Sequence, residues 1–406
     1  MKLPILGPLL TDPANRRAYY CNFHIVASFF CIAFLIGGPF FVNMQGIPSR
    51  WGSTGSLLNA KSIQCKSQCR PPGTEPLPLG IVSRKSNLEM TPPIQGSEQS
   101  SNTKDVAKAS KNLLAIAVGI KQRKVVDRIA KKFFSCNFTI MLFHYDGVVD
   151  EWGDLQWSDS ALHVSGINQT KWWFAKRFLH PDIVAEYNYI FLWDEDLGVE
   201  HFHPGRYISI IKKEGLEISQ PALDMAKSEV HHQITARGRK GYVHRRIYKS
   251  RGGGRCYENS TAPPCTGWVE MMAPVFSRAA WRCVWHMIQN DLIHAWGLDK
   301  KLGYCVQGDR SKNIGVVDRE YIVHLGIPTL GGFSENKSNA EATDHASQAA
   351  ESYAGMALPQ GPYGFTDRSA IRRRSYAELI MFQKRWKRAV AAADCWNDPY
   401  PETEKE

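Results

Sequence analysis

The chain has 406 residues, of which 43% are apolar and 22% charged, with 50 Lys and Arg against 39 Asp and Glu. This apolar content suffices for a hydrophobic core and excludes collagen-like, fibrous and wholly disordered proteins. The length allows about two domains, or one large α/β domain with appendages. The net charge of +11 indicates an anionic partner, which at this point is nucleic acid, a membrane surface or an anionic substrate.

The N-terminal region carries a membrane-span signal. Residues 25–42 contain no charged side chain, and 23–42 reaches the roughly 20 residues that a span needs. A cleaved signal peptide is the alternative, but its apolar region runs only about 7–15 residues and an A-x-A site is lacking here. Because basic residues precede the stretch, the positive-inside rule keeps residues 1–22 in the cytosol. We expect a single-pass type II protein of the Golgi or another secretory-pathway membrane, with its body in the lumen.

Two patterns agree with a lumenal body. The chain has four N-glycosylation sequons, at Asn137, Asn168, Asn259 and Asn336. Eight of the ten cysteines follow the apolar stretch, in a compartment that permits disulfides. Cys256 and Cys265 bracket a short loop and are predicted to be bridged. For Cys65 and Cys69, which are spaced C-x-x-x-C, a zinc site is a weaker alternative to disulfides, because a matching second pair of cysteines is missing nearby.

Composition divides the rest of the chain into three parts. Residues 43–110 are rich in Ser, Pro and Gly and predict a stem that need not fold. Residues 111–333 form the predicted catalytic-like domain. Residues 334–406 are a polar tail with one amphipathic helix, which is expected to pack on the core or on a partner. Its apolar stripe consists of Leu379, Phe382, Trp386, Ala389 and Ala393.

The central domain alternates short apolar runs with helical patterns. Such alternation predicts βαβ units and an α/β fold with a mostly parallel sheet flanked by helices. The predicted strands are 112–120, 138–147, 161–166, 189–196, 216–223 and 321–332, and residues 267–276 help to complete the core. The predicted helices are 121–134, 171–184 with an interruption near His180-Pro181, 204–214 and 281–289.

An acidic triplet follows the fourth predicted strand. The run YIFLW is followed by Asp194, Glu195 and Asp196, at the strand end where open α/β sheets bind ligands. Side chains alternate along an extended segment, so Asp194 and Asp196 point to the same side. Two carboxylates there favour Mn²⁺ or Mg²⁺, which prefer oxygen ligands. A solvated acidic turn is the alternative.

Three other residues are candidates for the same chemistry. His324 lies in the apolar run YIVHLGIP and would complete a metal shell, although a hydrogen-bonded core histidine is the simpler interpretation. Glu270 and Asp299 are flanked by Gly and Trp and are candidates for a general base toward an acceptor hydroxyl. Either acid would serve equally well as a helix cap or a surface group.

A basic stretch separates these motifs. Residues 230–255 contain eight Lys or Arg and no acid, which indicates either a solvated loop or a rim that neutralises phosphate. Arg245 and Arg246 are the predicted phosphate contacts. A lumenal body excludes nucleic acid as the partner. The glycines at 252–254 lack G-x-G-x-x-G spacing after a strand, so they are not a dinucleotide fingerprint.

Four long stretches carry a family resemblance: LPLGIVSRKSNLEM, FLWDEDLGVEHFHP, the run from RCYENSTAPPC to DKKLGYC, and NIGVVDREYIVHLGIPTLGG. Together they resemble the plant family known as domain of unknown function 707, over about residues 77–333. More distantly, the domain resembles A-type glycosyltransferases. That resemblance implies that Asp194 and Asp196 match the D-x-D motif and that His324 matches the C-terminal metal histidine. Asp299 would match the base, but Leu298 replaces the usual preceding acid, so Glu270 stays a rival.

The resemblance implies a metal-dependent glycosyltransferase. Its donor would be a nucleoside-diphosphate sugar, and its acceptor a glycan or glycoprotein hydroxyl. The alternative from another class is a non-catalytic lumenal protein, either a glycan binder or a scaffold in a biosynthetic complex.

Overall fold

A computed structural model describes residues 70–82, 111–238, 241–248, 256–327 and 368–401. The predicted signal anchor, the Cys65–Cys69 motif and the sequon at Asn336 lie outside the described residues. Among the helices that are described, none combines the length and apolar character needed to cross a membrane.

The described part contains one sheet of nine strands. The strands are β1 Asn112–Val118, β2 Phe138–His144, β3 Leu162–Ser165, β4 Tyr189–Trp193, β5 Leu197–Gly198, β6 Ile218–Leu223, β7 Val243–His244, β8 Val275–Ser277 and β9 Ile314–His324. Their spatial order is β3-β2-β1-β4-β8-β6-β9-β5, with β7 also paired to β9.

Strand direction determines which residues meet at one edge. The four strands β1 to β4 are mutually parallel. Strand β8 is antiparallel to both β4 and β6, so β6 runs in the same direction as β4, and β9 is parallel to β6. The carboxyl ends of β1, β2, β3, β4, β6 and β9 therefore share one edge of the sheet. The expected α/β fold is confirmed, and strands β5, β7 and β8 are the antiparallel members of its sheet.

Helices cover the sheet: α1 Arg123–Phe134, α2 Lys171–Phe178, α3 Pro204–Lys213, α4 Arg278–Met287, α5 Arg310–Asn313 and α6 Arg368–Ala391. The predicted apolar side of α1 is buried in full (Val125, Val126, Ile129 and Phe133). Helix α2 ends at Phe178, just before His180-Pro181. The ring of a proline clashes with a helical conformation of the preceding residue, so His180 cannot easily continue the helix.

Two apolar clusters fill the two faces of the sheet. One contains Phe133 of α1, whose ring contacts Phe191 and Trp193 of β4 edge to face at 5.5 and 5.2 Å. The other joins α2, α4 and α6 through fully buried Trp281 and Trp285. Strand β4 is thus packed on both faces, which fixes the position of the acids that follow it.

The flanking segments belong to the folded unit. Phe382 and Trp386 of α6 are 3% and 5% exposed, so the predicted stripe packs on the core. Leu77 and Ile81 are also buried there, although composition had placed them in a stem. The Trp396 indole donates to Pro76 O at 3.0 Å. A composition average over a Pro-rich segment conceals single buried aliphatic residues, which explains the difference.

Disulfides close two parts of the domain. Cys256 and Cys265 are bridged as predicted, with their Cα atoms 5.4 Å apart. A second bridge joins Cys283 of α4 to Cys305, with a Cα separation of 5.2 Å.

Candidate functional site

The acids that follow β4 lie at the carboxyl edge of the sheet. The Asp194 amide donates to Met272 O at 2.9 Å, which ties the first acid to the segment leading into β8. Because β8 runs antiparallel, that segment enters from the same edge. The edge therefore brings residues 194–196 close to residues 270–272.

Asp194 is paired with a lysine that no sequence motif marks. Lys171 Nζ lies 2.6 Å from Asp194 Oδ1 and donates to Met271 O at 2.7 Å. The lysine side chain is 8% exposed, whereas that of Asp194 is 37% exposed and accessible to a ligand. Withdrawal from water raises the pKa of Asp194, and the Lys171 ammonium opposes this effect.

Asp196 is paired with the predicted histidine. Asp196 Oδ2 lies 3.3 Å from His324 Nε2 and accepts the Ile327 amide at 3.1 Å. Pairing of β5 with β9 creates this proximity, since Leu197 lies opposite His324. The hydrogen bond to Asp196 raises the pKa of His324, while its partial burial acts in the opposite direction.

Glu195 points away from this pair into a buried polar network. Its Oε1 accepts the Tyr145 hydroxyl at 2.9 Å, and Gln122 Oε1 lies 3.2 Å from the same hydroxyl. Burial is the main cause that raises the pKa of Glu195 to about 8, and repulsion from Asp194 is the second cause. Burial also raises the pKa of Tyr145. Glu195, Tyr145 and Gln122 therefore form a neutral hydrogen-bonded network at pH 7, which supports the backbone that carries Asp194 and Asp196.

Glu270 carries an unsatisfied carboxyl oxygen. Its amide donates to Gln220 Oε1, a fully buried acceptor in β6, which fixes the backbone at this point. Within the described residues Oε2 is buried without a hydrogen-bond partner. Burial raises the pKa of Glu270 to about 7; His324 lowers it, and Asp194 raises it. These interactions place Glu270 beside the Asp194–Lys171 and Asp196–His324 pairs. Its pKa suits proton transfer near neutrality.

Asp299 begins the 3-10 helix Asp299–Cys305 in the same neighbourhood. Its Oδ2 accepts the Trp268 indole N–H at 3.3 Å, and the His232 ring packs on Trp268 at 4.6 Å. Burial raises the pKa of Asp299, and Asp299 in turn contributes to the raised pKa of Glu270. Both acids predicted as bases thus lie at one site, but Asp299 has an indole partner and Glu270 Oε2 is free within the described part.

The two predicted phosphate contacts are engaged elsewhere. Arg245 binds Glu214 Oε2 at 2.9 Å and donates to Lys312 O. Glu214 precedes the amino end of β6, and Lys312 precedes the amino end of β9. It therefore lies at the opposite edge of the sheet from the acids. Arg246 donates to Glu258 O and lies 5.2 Å from the Tyr248 ring. The contacts of both arginines fix the basic segment and do not include Asp194, Asp196 or Glu270.

Two of the sequon asparagines have a left-handed backbone conformation. Asn137 and Asn168 are exposed and have φ of 58°, a left-handed conformation that asparagine tolerates better than most residues. Asn259 is exposed in the disulfide-closed loop. All three lie at the surface, and their glycosylation remains a prediction.

The three predicted metal ligands have different partners in the structure. Asp196 and His324 supply an oxygen and a nitrogen donor side by side, but Asp194 Oδ1 is occupied by Lys171. Over the part of the chain that is described, no group of three or more His, Cys, Asp or Glu side chains is arranged to hold a metal ion.

A known family matches most of the chain. Residues 68–392 match the family described as "Protein of unknown function (DUF707)". No curated protein matches the chain. The matched range includes both residues 70–82 and α6, in agreement with their burial in the core.

Proposed function

The chain belongs to the DUF707 family, whose description assigns no activity, and we propose that it transfers a sugar from a nucleoside-diphosphate donor to a glycan or glycoprotein hydroxyl. The observation that carries this proposal is the convergence of Asp194, Asp196, His324 and Glu270 at one strand edge. That edge is where open parallel sheets bind nucleotides. The proposed fold relationship is to A-type glycosyltransferases, and the parallel run β3-β2-β1-β4 supports it.

Glu270 is the proposed general base. A base must hold no proton at working pH and must reach the acceptor hydroxyl. A pKa of about 7 leaves Glu270 partly ionised at neutrality, and its buried Oε2 has no hydrogen-bond partner within the described residues that would compete for a proton. Asp299 would orient the acceptor, since its carboxyl is already held by Trp268.

Asp196 and His324 are the proposed ligands of Mn²⁺ or Mg²⁺. Asp194 would be a third ligand if Lys171 released the Asp194 carboxylate oxygen that it now binds. Such an ion would supply positive charge against the diphosphate leaving group. Lys171 contributes a fixed ammonium at the same place, which balances the charge of Asp194.

The proposed location is the lumen of a secretory-pathway membrane, with residues 23–42 as the anchor. Two features of the described residues support it. The two disulfides suit an oxidising compartment. The three described sequon asparagines are exposed.

Calorimetry of the full-length chain against a panel of nucleoside-diphosphate sugars, with and without Mn²⁺, tests the proposal. We expect one donor to bind, with its affinity lowered by about tenfold or more in Asp196→Asn. If no sugar nucleotide binds and Asp196→Asn changes neither metal uptake nor stability, the non-catalytic lumenal binder or scaffold replaces the enzyme.

A further inference from the structure

The basic segment forms a fixed surface where it is described. His244 of β7 binds Asp318 Oδ2 through Nδ1 at 2.9 Å, and its Nε2 lies 2.6 Å from Ile234 O. The Asp318 amide donates to Tyr242 O at 2.8 Å, and the Ile247 amide donates to Cys265 O at 2.9 Å. Residues 241–248 are therefore held to β9 at one end and to the disulfide-closed loop at the other.

Tyrosine rings project from this fixed backbone. Nine large apolar side chains are exposed in the described part of the chain, and its three exposed tyrosines (Tyr242, Tyr248 and Tyr257) all fall in this segment and the loop that follows. The Tyr242 and Tyr248 rings are 61% and 56% exposed. Leaving such rings in water forfeits the free energy of burial, which a ligand that covers them would recover.

A guanidinium accompanies each of these two rings. Arg319 lies 6.0 Å from the Tyr242 ring centroid and Arg246 lies 5.2 Å from that of Tyr248. Both arginine side chains are exposed. The neighbouring carboxylates of Asp318 and Glu214 are paired with His244 and Arg245 within the chain. The surface formed by Tyr242, Arg319, Arg246 and Tyr248 is therefore aromatic and positive.

We propose that this surface binds an acidic glycan, that is, a chain of sugars bearing carboxylates. The C–H face of a sugar ring packs on an exposed tyrosine ring, and its carboxylate pairs with the planar fork of a guanidinium. The fixed backbone lowers the ordering cost of binding. This inference extends the proposed function by naming the class of acceptor, and it rests on that function only for reading the bound glycan as the acceptor.

The test measures binding without any sugar nucleotide, so its failure is separate from failure of the proposed transfer activity. The full-length chain is titrated with oligogalacturonate and with a neutral galacto-oligosaccharide of the same length. We expect the acidic oligomer to bind and the neutral one to bind at least tenfold more weakly. Tyr242→Ser and Tyr248→Ser should each weaken binding by about tenfold, as expected for loss of one stacked ring.

Charge variants provide matched controls. Arg246→Gln and Arg319→Gln should weaken binding, whereas Arg128→Gln, an equal loss of charge on α1, should not change it. Glu258→Gln should strengthen binding, because Glu258 is an exposed acid whose backbone carbonyl accepts from Arg246. Equal binding of polyglutamate or of an oligonucleotide, or an unchanged affinity in both tyrosine variants, would overturn the proposal.

Discussion

Lys171 Nζ lies 2.6 Å from Asp194 Oδ1, so the first acid of the predicted metal motif already has a cation partner within the chain. The same ammonium donates to Met271 O and Met272 O at 2.7 and 3.2 Å. One side chain at the start of α2 thereby joins the end of β4 to the segment that carries Glu270. The relative positions of Asp194 and Glu270 depend on this lysine.

Replacing Lys171 by Met should therefore destabilise the protein. It leaves Asp194 and two carbonyls without their donor, and we expect a loss of about 2 kcal/mol, below the value for a fully buried pair because Asp194 is partly exposed. Urea unfolding measures this loss. Lys111→Met is the control, since its pair with Glu186 is 45% exposed on each side and should contribute less than about 1 kcal/mol. Equal losses in the two variants would refute the role of Lys171.

Glu270→Gln should separate stability from activity. The carboxyl ionises at about pH 7 in the folded chain but near its ordinary value of 4.5 when unfolded, so stability falls as pH rises between these values. At pH 8 the variant should be more stable by about 2 kcal/mol, yet slower in transfer by about 10²–10⁴-fold. Glu151→Gln, at an exposed position, should change neither quantity. A variant that is both less stable and fully active contradicts this assignment.

His244 should make stability depend on pH. Burial lowers the pKa of its imidazole, but the hydrogen bond and attraction from Asp318 outweigh burial and raise it. Both ring nitrogens face acceptors, so the folded state favours the imidazolium. This contribution is complete below the unfolded pKa near 6.5 and is lost as pH rises through the folded value. Thermal unfolding of wild type and His244→Gln between pH 5 and 9 should show a steeper decline in wild type than in the variant; parallel curves would remove His244 as a source of the pH dependence.

Helix α6 should be part of the cooperative domain. Trp386 is 5% exposed and packs against the Tyr304 ring at 4.8 Å, so Trp386→Ala should cost about 3–5 kcal/mol. Lys387→Ala, at an exposed position of the same helix, should cost less than about 0.5 kcal/mol. A separate low-temperature transition in Trp386→Ala, with the main transition unchanged, would show instead that α6 unfolds independently.

Periodicity predicted most of what lies at the centre of the fold. The runs NLLAIAV and YIFLW are buried on both faces as parallel strands, and their pattern requires no long-range information. The short strand Val243–His244 was not predicted, because two residues of a basic segment carry no alternation to detect. Its position depends on the His244–Asp318 pair, which only the folded chain assembles.

The site divides in the same way. Asp194, Asp196 and Glu270 were selected from local context, and they meet because the strands around them share one edge. Lys171 and Tyr145 were missed, since a lysine after a threonine and a tyrosine after a strand are ordinary in sequence. Arg245 was selected for its charge, but charge does not indicate direction, and the side chain binds Glu214 at the far edge.

The most direct test of the central claim is the Kd of the best donor from the sugar-nucleotide panel, measured by calorimetry for two paired variants. Asp194→Asn with Asp196→Asn should weaken donor binding by at least a hundredfold, while Asp159→Asn with Asp182→Asn, which removes the same charge at exposed positions, should leave it within twofold. Equal affinity of both double variants, with each still folded, would contradict a donor site at the end of β4.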